Sequence, residues 1–302
     1  MRLLLLLPRG LLRQCDNANP NGKDAGTAFF GGPEATGSFD GLQAEKARIP
    51  FAHVTAVKLP DEVSDEQALL ISDIFPTAWF GAKLAEVSAG DTVAVFGCGP
   101  VGQFAILCAQ LQGAGRVLAV DQKRDRLETA RKLGAEIVDF SSEDPIATIK
   151  RLTGGVGVDR AIDAVGVDAE GPEDQPDVVA GNAPQRVDGD RWQPGNAPAQ
   201  AAEWAVQAVA KAGTIGIIGV YPPTMERYPI GAAMNRNLTL RMGNCNHRRY
   251  VPQLIELVRT GAVDPTAIIT EREHMADAVE AYEQFDQREP GWLKVELQPA
   301  AA

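Results

Sequence analysis

Gly97-Cys98-Gly99-Pro100-Val101-Gly102 lies between the apolar run Thr92-Val93-Ala94-Val95-Phe96 and a stretch over 101–111 with apolar residues three and four apart. A second apolar run over 116–120 comes next and closes on Asp121, nineteen residues after Gly102. Strand, glycine bend, helix, strand and terminal acid, in that order, are the parts of a dinucleotide-binding βαβ unit. Gly97 permits the tight turn from strand to helix, Gly99 lets backbone approach a pyrophosphate, and Gly102 lets the helix pack closely on the strand. Pro100 and Val101 stand at the helix start, where free N–H groups and the positive dipole end face the phosphates. A carboxylate at Asp121 accepts both ribose hydroxyls and repels a 2′-phosphate, which selects NAD over NADP. A methyltransferase that binds S-adenosylmethionine also places an acid at this strand end, and it is the competing reading.

Outward from this unit the alternation continues. Strand candidates occupy 92–96, 116–120, 137–140, 160–164, 214–220 and 238–242, and helix candidates occupy 101–111, 123–133, 145–152, 201–210 and 251–260. Strands alternating with helices predict an α/β fold on a doubly wound parallel sheet, the Rossmann arrangement. Near 167–200 the chain turns acidic and rich in proline and glycine without a hydrophobic period. That predicts an exposed insertion, with a partner-binding loop as the alternative, and Trp192 is an aromatic suited to pin it to the body. Beyond Gly261 a helix is expected over 273–285, and after it an apolar-polar alternation over 291–297 suggests a strand of another sheet. Residues 1–50 show little periodicity and predict no core of their own.

The chain has 302 residues, enough for two domains with buried cores. Its 45% hydrophobic and 23% charged content is that of a globular protein. A net charge of −11 without clustered Lys and Arg weighs against nucleic acid or an acidic membrane as partner. The four cysteines, Cys15, Cys98, Cys108 and Cys245, are far apart and suggest no disulfide framework, so a reducing cytoplasm is expected. The opening Met1-Arg2 and the leucines at 3–7 hint at an export signal, but the apolar run before Pro8 is shorter than the roughly seven to fifteen residues such a signal needs. No stretch approaches the roughly eighteen apolar residues that span a bilayer.

Together the motifs resemble the zinc-dependent medium-chain alcohol dehydrogenases, most closely the branch of glutathione-independent formaldehyde dehydrogenases and formaldehyde dismutases. The resembling stretches are Arg9-Gly10-Leu11-Leu12-Arg13-Gln14-Cys15, Leu69-Leu70-Ile71-Ser72-Asp73-Ile74-Phe75-Pro76-Thr77, the glycine loop, Gly157-Val158-Asp159-Arg160-Ala161-Ile162-Asp163-Ala164-Val165-Gly166, and Gly213-Thr214-Ile215-Gly216-Ile217-Ile218-Gly219-Val220. The resemblance implies an NAD-dependent oxidoreductase that moves hydride between a small-molecule alcohol or aldehyde, formaldehyde-like, and NAD. It implies a catalytic zinc held by a Cys, a His and a third Cys or Asp, and Asp73 matches the third position. It implies a structural zinc on four cysteines, and Cys15 matches the last of them. Thr77 matches a position beside the nicotinamide, and Lys123 stands with the cofactor residues. The first Cys and His have no counterpart, so by the resemblance the chain begins partway through the catalytic domain. The implied domains are a remnant of a mostly β, GroES-like catalytic domain over 1–72, an NAD-binding domain over 73–262, and a return to the catalytic domain over 263–302. Homodimers or homotetramers joined along the cofactor-domain sheet edge are implied as well.

Several positions have a plainer reading. Asp73 also suits a helix cap before Pro76, and Thr77 an ordinary helix-start residue. Lys123 either flanks the adenosine or is solvated, as Arg124 is, on an amphipathic helix. Cys98 is small filler, with mild reactivity from the helix N-terminus as the alternative. The histidines are His53, His247 and His274, and Cys245-Asn246-His247 reads as structural rather than as a metal pair. One carboxylate cannot fix a zinc ion that normally takes three protein ligands. Two further functions therefore stand beside the dehydrogenase: an NAD-binding module without turnover, and a zinc-free quinone or enoyl reductase on the same sheet.

Overall fold

The computed structural model describes residues 18–22, 24–171, 195–221, 225 and 228–299. Cys15, Trp192 and most of the expected insertion, residues 172–194, lie outside them. In chain order the elements are α1 (Ala52–Thr55), α2 (Asp65–Ile71), α3 (Ile74–Leu84), β1 (Thr92–Phe96), α4 (Pro100–Leu111), β2 (Arg116–Asp121), α5 (Arg124–Lys132), β3 (Glu136–Asp139), α6 (Pro145–Leu152), β4 (Val158–Asp163), α7 (Gln200–Ala208), β5 (Val209–Ile217), α8 (Ile230–Asn235), β6 (Thr239–Met242), α9 (His247–Arg259), β7 (Glu271–His274), α10 (Ala278–Asp286) and β8 (Val295–Gln298). They form two compact units, one of Thr77–Gly243 and one of Met1–Pro76 with Asn244–Ala302.

The 77–243 unit is built on a six-stranded sheet in the order β3-β2-β1-β4-β5-β6, parallel throughout. Strands covered by helices on both faces need apolar residues at nearly every position, and Val93, Ala94, Val95 and Phe96 of β1 are all buried. On one face Phe96 and Phe140 pack against Trp204 of α7, with ring centroids 6.4 and 5.0 Å away. Burying a side chain of Phe size stabilises by roughly 1.5–3 kcal/mol. Local signals set the helix ends. α6 starts at Asp144, whose carboxylate accepts the N–H groups of Ile146 and Ala147 at 2.8 and 2.9 Å, with Pro145 at the first helical position. α4 stops at Gly113, whose φ of +103° suits glycine.

Three expectations need correction. The strand after α7 begins at Val209, directly after the helix, because β5 pairs from its first residue with Val158. The helix placed over 273–285 starts at Ala278, since Glu271–His274 instead pair in parallel with Val295–Gln298. A parallel pair requires a crossover, and α10 supplies it. The expected boundary at 262 differs from the division at 243: α9 buries Leu254, Ile255 and Val258 and packs with α2, and both helices belong to the unit of Met1–Pro76 with Asn244–Ala302. That other unit is also not mostly β among the described residues: its sheet has the two strands β7 and β8, and helices carry more of it. A strand needs a ladder partner, and the glycine- and proline-rich stretch ahead of α1 forms one isolated bridge, Phe30 to Phe39. No helix among the described residues is long and apolar enough to cross a membrane.

Candidate functional site

Ligands of open parallel sheets bind outside the carboxyl ends of the strands, where the strand order reverses. Here the order reverses between β1 and β4, and the glycine bend leaves β1 at that point. Gly97 has a φ of +87°, and a Cβ on it would lie 2.5 Å from Cγ2 of Val165, so both conformation and space call for glycine. A Cβ on Gly102 would lie 1.9 Å from the carbonyl oxygen of Gly97, because the first turn of α4 packs directly on the bend. Gly99 is different. Its backbone is extended, and the nearest heavy atom to a Cβ there would be Nη1 of Arg126, 3.8 Å away. The fold itself asks nothing of this glycine; it leaves the approach to the helix end open. Pro100 is the first residue of α4, and the helix start has no side-chain cap. Its first-turn N–H groups, Val101 and Gly102 among them, and its dipole therefore make an anion-accepting end.

Asp121 ends β2 and is 7% exposed. Its Oδ2 accepts the N–H of Cys98 at 2.7 Å, and its Oδ1 accepts the N–H groups of Gln122 and Lys123 at 2.7 and 2.8 Å. The acid is thus turned toward the bend, which it organises. A carboxylate offers about four acceptor directions, so capacity is left for a ligand hydroxyl. Lys123 is half-buried at the start of α5. Arg124 is exposed and pairs with Glu128 one turn on, at 3.1 Å, as a solvated face does. Cys98 is fully buried, and burial first, then the Asp121 charge, push its thiol well up against a smaller pull from Arg126. The reactive alternative for Cys98 is corrected: this thiol is filler.

Two residues escaped the sequence reading. Gln103, fully buried, donates through Nε2 to the carbonyls of Cys98 and Arg126 at 2.8 and 2.9 Å and so ties the bend to α5. Arg126 brings its guanidinium to the open side of Gly99. On an amphipathic helix beginning Arg-Asp-Arg, nothing distinguishes this arginine from a solvated one.

The unit of Met1–Pro76 with Asn244–Ala302 holds the expected metal position. Asp73 directly precedes α3, with its side chain 72% exposed, and its Oδ1 lies 2.6 Å from Nε2 of His247 at the start of α9. An ionised carboxylate only accepts, so Nε2 carries the hydrogen of this bond and is not offered to a metal. Cys245 is buried and donates its thiol to the carbonyl of Pro76 at 3.3 Å, so Cys245 and His247 serve different partners. Lys294 is half-buried, and its ammonium is pushed down by burial while the charge of Asp73 pulls it back up. Among the described residues no group of three His, Cys, Asp or Glu can hold a metal ion. They do not fit a catalytic zinc, which needs three protein ligands. Thr77 is half-buried one turn into α3 rather than at its start. His53 and His274 are exposed.

Residues 100–170, from the start of α4 onward, match the model of a family described as zinc-binding dehydrogenase. AdhB of Bacillus subtilis (strain 168), an uncharacterized zinc-type alcohol dehydrogenase-like protein, is 38% identical over 290 residues, 95% of this chain and 73% of that protein. The chain belongs to the zinc-type medium-chain alcohol dehydrogenase family. The solved structure of alcohol dehydrogenase TADH from Thermus sp. ATN1 superimposes on this family member with a TM-score of 0.80 at 28% identity, over 99% of this chain and 76% of the other. A glutathione-independent formaldehyde dehydrogenase of Bacillus subtilis (strain 168) is 34% identical over 237 residues, 76% of this chain and 52% of that protein. The chain is shorter than such relatives, spanning 61%, 63% and 66% of three other alcohol dehydrogenase-like proteins.

Proposed function

We propose that this chain binds NAD(H) on the glycine bend and serves the oxidation of a small alcohol or the reduction of an aldehyde, formaldehyde-like, in the cytoplasm. The observation that carries the reading is the open face of Gly99 between the uncapped start of α4 and the carboxylate of Asp121. A Cβ would fill that cradle, so the residues present fit a diphosphate. First-turn amides of α4 would hold it, and Asp121 would accept the adenosine ribose and disfavour a 2′-phosphate. Lys123 and Arg126 would flank the same sugar. Bound NAD supplies a hydride acceptor; the chain binds and orients it. The formaldehyde preference draws its support from the resembling stretches of sequence and from the likeness to the B. subtilis formaldehyde dehydrogenase.

The edge strand β6 supports homodimers or homotetramers. Met242 on it is 59% exposed, and Ile230 and Met234 of α8 are 73% and 74% exposed, an apolar surface of the kind that partners cover.

A second reading, NAD(H) binding without turnover, is favoured by one observation: Asp73 is spent on His247. Calorimetry with NAD+ and NADP+, zinc content, and NADH production from ethanol and formaldehyde separate the two. NAD+ is expected to bind at least about tenfold more tightly than NADP+, a difference of about 1.4 kcal/mol. Stoichiometric zinc with turnover supports the dehydrogenase, and NAD+ binding without either supports the second reading. Failure to bind either dinucleotide contradicts both.

A further inference from the structure

Asp163 closes β4 with 0% of its surface exposed. Its Oδ1 accepts the N–H groups of Val165 and Gly166 at 2.9 and 3.0 Å, and its Oδ2 accepts the Tyr221 hydroxyl at 2.6 Å. Its own carbonyl accepts the N–H groups of Ile218 and Gly219 at 3.0 and 2.9 Å. One residue therefore holds both the loop after β4 and the loop after β5. The loops also pair directly, since Gly166 and Val220 form a parallel bridge and the Val167 N–H donates to the Val220 carbonyl at 2.9 Å. The seam admits no side chain: a Cβ on Gly219 would lie 2.2 Å from the nitrogen of Gly166. Val165, on the first of these loops, packs against Gly97 and joins the seam to the glycine bend.

Tyr221 lies one residue beyond the bridge. The N–H of Ala202, in the first turn of α7, whose start has no side-chain cap, draws the phenol down, the smallest influence on it. Burial first, then the Asp163 charge, keep the phenol far above its usual range, so it stays protonated and donates. Burial likewise pushes the Asp163 carboxyl up, while its three hydrogen bonds pull the other way. A buried carboxylate is costly unless its donors stay in place, so this network resists movement of the loops that supply them. Val220, 74% exposed, is the apolar surface that the seam presents.

A doubly wound sheet has two mononucleotide-binding halves. The β1–β3 half carries Gly99 and Asp121, and the β4–β6 half carries Asp163 and Tyr221. We propose that Tyr221 and Asp163 are a positioning pair that locks the loops after β4 and β5 into one edge and thereby orients the nicotinamide half of NAD(H), leaving the adenosine half to Asp121 and the bend. The inference rests on the proposed binding of NAD(H) to the glycine bend.

The whole chain is titrated with ADP-ribose and with NADH, and the fluorescence of bound NADH is recorded, for the unaltered protein, Tyr221→Phe and Asp163→Asn. Tyr221→Phe is expected to leave ADP-ribose affinity within about twofold and to weaken NADH by about tenfold or more, with the bound-nicotinamide fluorescence signature reduced. Asp163→Asn is expected to repeat that pattern, and it carries the test by itself should Tyr221→Phe not fold. The double variant is expected to be no weaker than the weaker single one, because both act through one contact. Equal losses for the two ligands, or unchanged NADH affinity and fluorescence, overturn the pair's role. Absence of ADP-ribose and NADH binding by the unaltered chain overturns the proposal of NAD(H) binding itself, and it is recognised before any substitution is made.

Discussion

Toward the amino ends of β1 and β4 the chain closes on itself, whereas at the carboxyl ends of β1, β2 and β4 it stays open. At the closed edge, Arg160 bonds Asp91 at 2.8 Å and Thr214 at 2.9 Å, and the Thr92 N–H donates to Asp159 at 2.8 Å. At the open edge, Asp121 and Asp163 accept backbone N–H groups of the loops beside them. Carboxylates serve both edges, with different partners. Paired with a guanidinium, an acid fastens strands together; given loop amides, it shapes a surface, and at Asp121 it also keeps acceptor capacity for a ligand. The closed edge should therefore report on stability and the open edge on binding.

The largest effect is expected where the open edge touches the fold itself. Gly102→Val would drive a Cβ into the Gly97 carbonyl, 1.9 Å away, and should cost about 3 kcal/mol or more in denaturant unfolding and abolish NAD+ binding in calorimetry. Next, Arg160→Ala leaves Asp91 half-buried without its guanidinium. About 2 kcal/mol of stability should be lost, between the values for exposed and buried pairs, with NAD+ affinity unchanged. A change in affinity there would erase the distinction between the edges. Asp121→Asn removes a charge but keeps an acceptor, so NAD+ should weaken about tenfold and the gap to NADP+ should narrow. Equal selectivity before and after would remove Asp121 from cofactor choice.

The smallest effect belongs to the exposed pair of Arg116 and Glu136 at the closed edge, 2.8 Å apart. The Arg116 hydrogen bond holds the Glu136 carboxyl below its ordinary value of 4.5. A lowered acid stabilises the folded state fully above its unfolded pKa and ceases to as pH falls through the folded one. Arg116→Ala should thus cost about 0.5 kcal/mol or less at pH 7 and nothing measurable near pH 2. A constant difference across that range would assign the loss to packing.

The open edge was legible in the sequence where its requirements are local. Gly97 answers to the positive φ of its turn, Gly102 to a backbone contact five residues away, and Asp121 to its place at a strand end, so composition and spacing expose them. Gln103 reaches the Arg126 carbonyl across 23 residues, Tyr221 reaches Asp163 across 58, and His247 meets Asp73 across 174. Each looks like an ordinary helix or loop residue until the chain is folded. The tail shows the same limit: the residues over 273–285 read as one helix, but a strand 24 residues downstream claims Glu271 to His274 first. Local amphipathicity cannot announce such a partner. The placement of α9 with α2 is likewise decided by which apolar face its Leu254 and Val258 find.

Gly99 isolates the open edge most cleanly, because its backbone is extended and no protein atom lies closer than 3.8 Å to a Cβ there. Gly99→Val should leave the unfolding midpoint where it is while NAD+ affinity, measured by calorimetry on the same sample, falls by about 100-fold or more, some 2.7 kcal/mol. An unchanged midpoint with undiminished NAD+ affinity would contradict a dinucleotide resting on this bend.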